Sequence, residues 1–158
     1  MKTRFIAAGL AALLLQSTAA RAAPVLQALH PWSRPAAAGA TGAGYLTLVN
    51  KGSADTLVAV ESPVASRVEM HASSMTGGVM RMSPETRVSV PAGGEVRFAP
   101  GGRHLMLLGL KKPLKTGDRV PATLRFASGA ELKVELVVSP TAPAGEAMDH
   151  MDHMDHAH

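Results

Sequence analysis

Residues 120–138 read Val120-Pro121-Ala122-Thr123-Leu124-Arg125-Phe126-Ala127-Ser128-Gly129-Ala130-Glu131-Leu132-Lys133-Val134-Glu135-Leu136-Val137-Val138. In the second half, Leu132, Val134, Leu136 and Val138 alternate with Glu131, Lys133 and Glu135. A period of two places one set of side chains on each face of an extended chain, so this is a half-buried strand. Val120–Phe126 is a second strand, and Ala127-Ser128-Gly129-Ala130 joins the two as a hairpin.

The same rhythm runs toward the N-terminus. Candidate strands lie at Gly44–Asn50, Thr56–Glu61, Arg67–His71, Val79–Met82, Arg87–Val90, Glu95–Phe98 and His104–Leu110. Turn signals separate them: Lys51-Gly52-Ser53, Ser62-Pro63, Gly77-Gly78, Pro91-Ala92-Gly93-Gly94, Pro100-Gly101-Gly102 and Thr116-Gly117-Asp118. His71 is expected to end its strand just before a loop at Ala72–Gly78. Many short strands with regular turns predict an all-β antiparallel sandwich or barrel. The 116 residues from Pro24 to Ser139 suffice for one core and contain no internal repeat.

Against that background four side chains stand out: His71, Met82, His104 and Met106. Two imidazoles and two thioethers make a soft, uncharged donor set. Thioether sulfur selects Cu(I) among the common biological metals and imidazole is compatible with it, whereas Mg²⁺ and Ca²⁺ want oxygen. His104 and Met106 are two apart on a strand and share a face, as do Met80 and Met82. Each residue also has an ordinary reading. Methionine fills irregular cores, and a lone histidine on a strand is more often a hydrogen-bonded structural residue than a ligand. Met70 adjoins His71 and faces the other way, toward core or rim. Met75 and Met80 are flexible reserves for an ion in transit. His30, before Pro31-Trp32, is expected to be structural, and Arg34, Glu69 and Arg103 to be solvated charges.

The spacing His71-x10-Met82-x21-His104-x-Met106, with Met70 before the first histidine, resembles the motif of the periplasmic PCuAC copper chaperones. Further stretches carry the likeness: His30-Pro31-Trp32-Ser33-Arg34, Ala43–Asn50, Val68-Glu69-Met70-His71, Val90-Pro91-Ala92-Gly93-Gly94 and Pro100–Leu107. They span about Ala28 to Val138. The resemblance implies a cupredoxin-like Greek-key β-sandwich that binds Cu(I) through His71, Met82, His104 and Met106. It also implies delivery of that ion to the CuA domain of cytochrome c oxidase subunit II, alongside a Sco-type thiol protein.

The two ends of the chain differ from the middle. Met1-Lys2-Thr3-Arg4, the apolar run Phe5–Leu15 and the small residues around Ala20 and Ala22 predict a secretory signal over residues 1–22, cleaved before Ala23. The apolar core, at eleven residues, is short for a bilayer span, so no stable membrane insertion is expected after cleavage. The address is then the periplasm, and the folded domain runs from 23 to 139. The signal holds three of the sixteen basic residues (Lys2, Arg4, Arg21) and no acidic ones, leaving thirteen against twelve. That near-neutral balance, with no basic patch interleaved with aromatics, argues against nucleic acid. Cysteine is absent, which removes thiol catalysis and the blue-copper ligand set. A Met/His site also survives an oxidising compartment that closes thiols into disulfides.

Residues 140–158 form a low-complexity tail with three Met-Asp-His units, expected to be disordered without metal. Imidazoles of His150, His153, His156 and His158 with the carboxylates of Asp149, Asp152 and Asp155 suit Cu(II), and Met148, Met151 and Met154 suit Cu(I). The tail reads either as a capture arm that raises local copper concentration or as a solvated, silent segment. No nucleophile–base pair suggests an enzyme, and the alternative to a chaperone is copper storage or detoxification.

Overall fold

The structure is a computed structural model, and it describes residues 23–144. The predicted signal and the Met-Asp-His units lie outside the described residues. Ten strands run in chain order: β1 Leu26–Ser33, β2 Gly42–Asn50, β3 Asp55–Glu61, β4 Ala65–Thr76, β5 Val79–Glu85, β6 Val88–Val90, β7 Glu95–Phe98, β8 Arg103–Leu110, β9 Arg119–Phe126 and β10 Glu131–Val138. The all-β expectation holds. The strands form one hydrogen-bonded sheet in the order β5-β4-β8-β7-β2-β1-β10-β9-β3-β6, with β8 also reaching β2. All pairings are antiparallel except β1 with β10 and β7 with β8.

This sheet folds over on itself. β3 approaches β4, and β6 approaches β2 and β7, although those strands are far apart in the hydrogen-bonding order. One apolar core lies between the layers, built from Leu46 and Leu48 of β2, Leu57 of β3, Phe98 of β7, Leu105 and Leu107 of β8, Leu124 of β9 and Leu136 of β10. The folding-over is what makes the architecture a cupredoxin-like Greek-key sandwich rather than an open sheet. In β9, Val120, Ala122, Leu124 and Phe126 are buried, while Arg119, Pro121 and Arg125 are exposed, as period-two alternation requires. β2 crosses the middle with almost every residue buried or half-buried. Gly44 allows the layers to close there, since a Cβ at that position would stand 3.1 Å from Leu136 Cδ1.

Two local readings need correction. β1 carries His30-Pro31, a pair that disguises a strand in the sequence. The register between β1 and β2 shifts between Leu29 and Trp32, and His30 takes a positive φ of 47°. A bulge breaks the ladder there, which is where a residue without an N–H is tolerated. Beyond it Trp32 is buried against Tyr45, with ring centroids 4.7 Å apart. The second correction concerns His71. No loop begins at Ala72: β4 continues to Thr76, pairing with β5 down to Thr76↔Val79. The connection is only Gly77-Gly78, with φ of 59° and 78°, the two positive angles a tight hairpin turn demands. The small, polar Ala72-Ser73-Ser74 looks like a loop in one dimension, but all three residues pair with β5, and Ala72 and Ser73 are also bonded on the β8 side.

Candidate metal centre

β4 and β8 are adjacent antiparallel strands, and their register sets His71 directly opposite His104. Met70, Leu105 and Leu107 point into the core. Alternation therefore sends His71, His104 and Met106 to the outward face of the same strands. Met106 is opposite Glu69 on one side and Ala43 of β2 on the other. On the far side of β4, Met82 is opposite Ser73, one step along from His71. The four predicted ligands thus share one face of β5-β4-β8. His71 and Met82 lie within their strands, because β4 does not stop at His71, while His104 is the second residue of β8.

The two imidazole rings lie 5.9 Å apart, centroid to centroid. Met82, His104 and Met106 line a surface cavity of about 350 Å³, with Arg34, Tyr45, Met80 and the turn residues Pro100 and Gly101 around them. His104 is buried, His71 and Met106 are partly buried, and Met82 is half exposed at 51%. The face is a shallow well with one donor at its rim.

The hydrogen bonds of the histidines define which nitrogens are free. His104 Nδ1 is 3.0 Å from Gly102 O. A carbonyl only accepts, so Nδ1 carries the proton and Nε2 keeps its lone pair. His71 Nε2 is 2.9 Å from Glu69 Oε2. An ionised carboxylate also only accepts, so Nε2 donates and Nδ1 of the neutral ring is left as an acceptor. That atom is buried and has no hydrogen-bond partner. Buried polar atoms without partners are rare and costly. A metal ion would take up both free lone pairs, with Glu69 and Gly102 O fixing the ring tautomers as outer-shell partners do at metal sites.

Glu69 is therefore not a merely solvated charge. The His71 ring N–H and the Arg67 guanidinium, at 2.7 Å, hold its carboxyl below the usual carboxylate range. Its position was available in the sequence, because residues 69 and 71 share a strand face. Arg103 also has a partner: its guanidinium straps Glu85 at 2.8 and 3.2 Å, tying β8 to the base of β5. Burial pushes the Tyr45 hydroxyl up, and the nearby Arg34 guanidinium opposes part of that shift. Met70 is core, and His30 is exposed on the β1 bulge, outside the cavity. Met75 and Met80 lie beyond Met82 toward the hairpin turn. Among the described residues no group of three or more His, Cys, Asp or Glu is placed to hold a metal. An ion on this face would have to draw on thioethers.

The chain is similar along most of its length to known proteins. The LpqE-like family, described as one of lipoproteins, matches residues 26–138. Lxx21020 of Leifsonia xyli subsp. xyli, named as a lipoprotein, is 33% identical over 123 residues, covering 77% of this chain and 74% of the relative. RP573 of Rickettsia prowazekii is 30% identical over 129 residues, covering 76% and 71%. Among solved structures, the copper-bound PCuAC domain of PmoF2 superposes with a TM-score of 0.61 at 27% identity, covering 75% of this chain and 93% of that one. The Cu(I) form of DR1885 from Deinococcus radiodurans gives 0.54 at 30% identity, covering 80% and 86%.

Proposed function

This chain belongs to the LpqE-like family and shares the fold of PCuAC domains, and we propose that it is an exported copper carrier. It binds one Cu(I) through His71 Nδ1, His104 Nε2 and the sulfurs of Met82 and Met106. The observation that carries this reading is the buried, partnerless Nδ1 of His71, on the strand pair whose same face carries His104 and Met106. Neutral donors leave the site with only the metal's own charge. The copper-bound PmoF2 domain and the Cu(I) form of DR1885 support the choice of ion.

Copper here is cargo, so release matters as much as capture. Met82 is the exposed donor at the rim. An incoming thiolate can replace its thioether first, while the two imidazoles and Met106 still hold the ion. Copper stays monovalent throughout and no electron is needed. The acceptor is the CuA domain of cytochrome c oxidase subunit II, with a Sco-type thiol protein as co-worker, and the compartment is the periplasm. The chain contributes no catalysis of its own. The lipoprotein names of relatives support export, although this sequence has no cysteine to carry a thiol-linked lipid. The His150/His153/His156/His158 and Met148/Met151/Met154 tail gathers copper for the folded site.

X-ray absorption of the Cu(I)-loaded protein tests the site. Nitrogen and sulfur scatterers in similar numbers are expected, with nitrogen reduced in His71→Ala and sulfur in Met106→Leu. A copper environment unchanged in both variants overturns the assignment. Delivery is tested by mixing the loaded protein with a purified apo CuA domain, where one ion per chain should move.

A further inference from the structure

Beyond the quartet, the β4–β5 hairpin carries sulfur that the proposed site does not use. Met75 and Met80 are directly opposed cross-strand partners, one pair short of the Gly77-Gly78 turn. Met82 follows Met80 on the same face. Directly opposed residues have Cβ atoms about 4.5–5.5 Å apart, and the diagonal neighbours remain within reach of long side chains. All three sulfurs can therefore converge above one face of the ribbon. Their exposures are 64%, 58% and 51%. Among the described residues the other large exposed hydrophobics are Val25, Val79 and Val137, so the exposed methionines are confined to this one face.

Leaving three large apolar side chains in water is unfavourable, and such clusters mark a binding surface. The residue type says what binds. A surface built for apolar contact alone can use leucine or valine. Thioethers add soft lone pairs on flexible stems, and soft sulfur selects Cu(I).

We propose that Met75, Met80 and Met82 form a second, outer site for one soft monovalent cation, Cu(I) or its analogue Ag(I), which exchanges its ion with the inner quartet through the shared Met82. The inference rests on the quartet reading above. Each step is ligand substitution: one metal–sulfur bond forms to Met80 or Met75 as one metal–nitrogen or metal–sulfur bond of the inner site breaks. The ion keeps its single charge, and no proton or electron moves. The outer site lacks imidazole and lies exposed, so it fills second and empties first. It gives an incoming acceptor a first contact away from the buried His104.

The test is an Ag(I) titration of the full chain carrying ¹³C in its methionine methyl groups, followed by NMR. Each methyl is assigned by substitution, so the tail methionines are read separately. The first equivalent is expected to move Met82 and Met106, and the next to move Met75 and Met80. Met75 and Met80 methyls that stay in place after Met82 and Met106 have saturated overturn the outer site. Met106 that stays in place instead points to failure of the quartet, a different result. In the double variant Met75→Leu/Met80→Leu, which keeps apolar volume, the Met106 shift should persist while ion exchange with an added thiol slows. Exchange at the unaltered rate would equally overturn the proposal.

Discussion

The hairpins β4–β5 and β9–β10 are both antiparallel ribbons, yet they treat water in opposite ways. On β9–β10 the outward face carries charges paired across strands: Arg119 with Glu135 at 3.1 Å, and Arg125 with Glu131 and with Glu61 of β3. The inward positions Val120, Leu124, Phe126, Leu136 and Val138 are buried. On β5 no residue is buried at all, and the outward face shows methionine where its counterpart shows arginine and glutamate. β9–β10 is the ordinary solution, with a hydrophobic side for stability and a charged side for solubility. β4–β5 leaves thioethers in solvent, which the core does not require. Its hold on the body comes from the β4–β8 ladder and the Arg103–Glu85 strap. The difference teaches that one hairpin is part of the scaffold and the other is presented by it.

The largest expected effect separates these roles by stability. Leu124→Ala in β9 should cost ~2–5 kcal/mol, because it empties a fully buried position. Met80→Ala in β5 should stay within about 0.5 kcal/mol. Urea denaturation measures both, and similar losses would break the contrast.

The next effect separates them by metal. Glu69→Ala removes the acceptor that sets the His71 tautomer. Cu(I) affinity should fall by ~10–100-fold, as read by competition with a chromophoric Cu(I) chelator. Glu135→Ala, which breaks an exposed pair on the other hairpin, should leave affinity as it was. Equal responses would remove the distinction between presented and supporting hairpins.

The smallest effect sharpens the account of the supporting hairpin. Burial raises the Asp55 carboxyl, but hydrogen bonds from the Ser128 hydroxyl, the Thr56 N–H and the Ser128 N–H outweigh it and hold it below its ordinary 3.8. Ser128 lies in the β9–β10 turn, so this carboxylate pins the hairpin to β3. A depressed native value means that the contribution is fully present above the unfolded pKa and disappears as pH falls through the native one. Asp55→Ala should lose about 1.5 kcal/mol at neutral pH, and the gap to wild type should close in acid. Denaturation midpoints compared at the two pH values measure this, and a gap that persists in acid would reject the role.

Much of the fold was legible one strand at a time. Glu95–Phe98 has the predicted boundaries, and most other strands differ by a residue or two at an end, because period-two alternation is a local property. β1 was hidden by His30-Pro31, since a bulge that tolerates proline is a tertiary accommodation and leaves no alternation to read. The far half of β4 was hidden by Ala72-Ser73-Ser74, whose pairing with β5 and with the Gly102 turn no local pattern announces. In the candidate centre, residue types and the shared face of His104 and Met106 could be read directly. Glu69 could have been found by the same i, i+2 rule that pairs those two.

By itself the sequence determined the chemistry of the candidate donors and their faces: alternation assigns each side chain to one side of its strand, and imidazole with thioether is soft wherever it sits. Only the tertiary structure decided that β4 and β8 are neighbours in the register His71↔His104, and that one ring nitrogen is buried without a partner. The physical reason is that pairing joins segments more than thirty residues apart in the chain. Their alignment depends on how the whole core packs, and a free lone pair exists only relative to the groups that surround it.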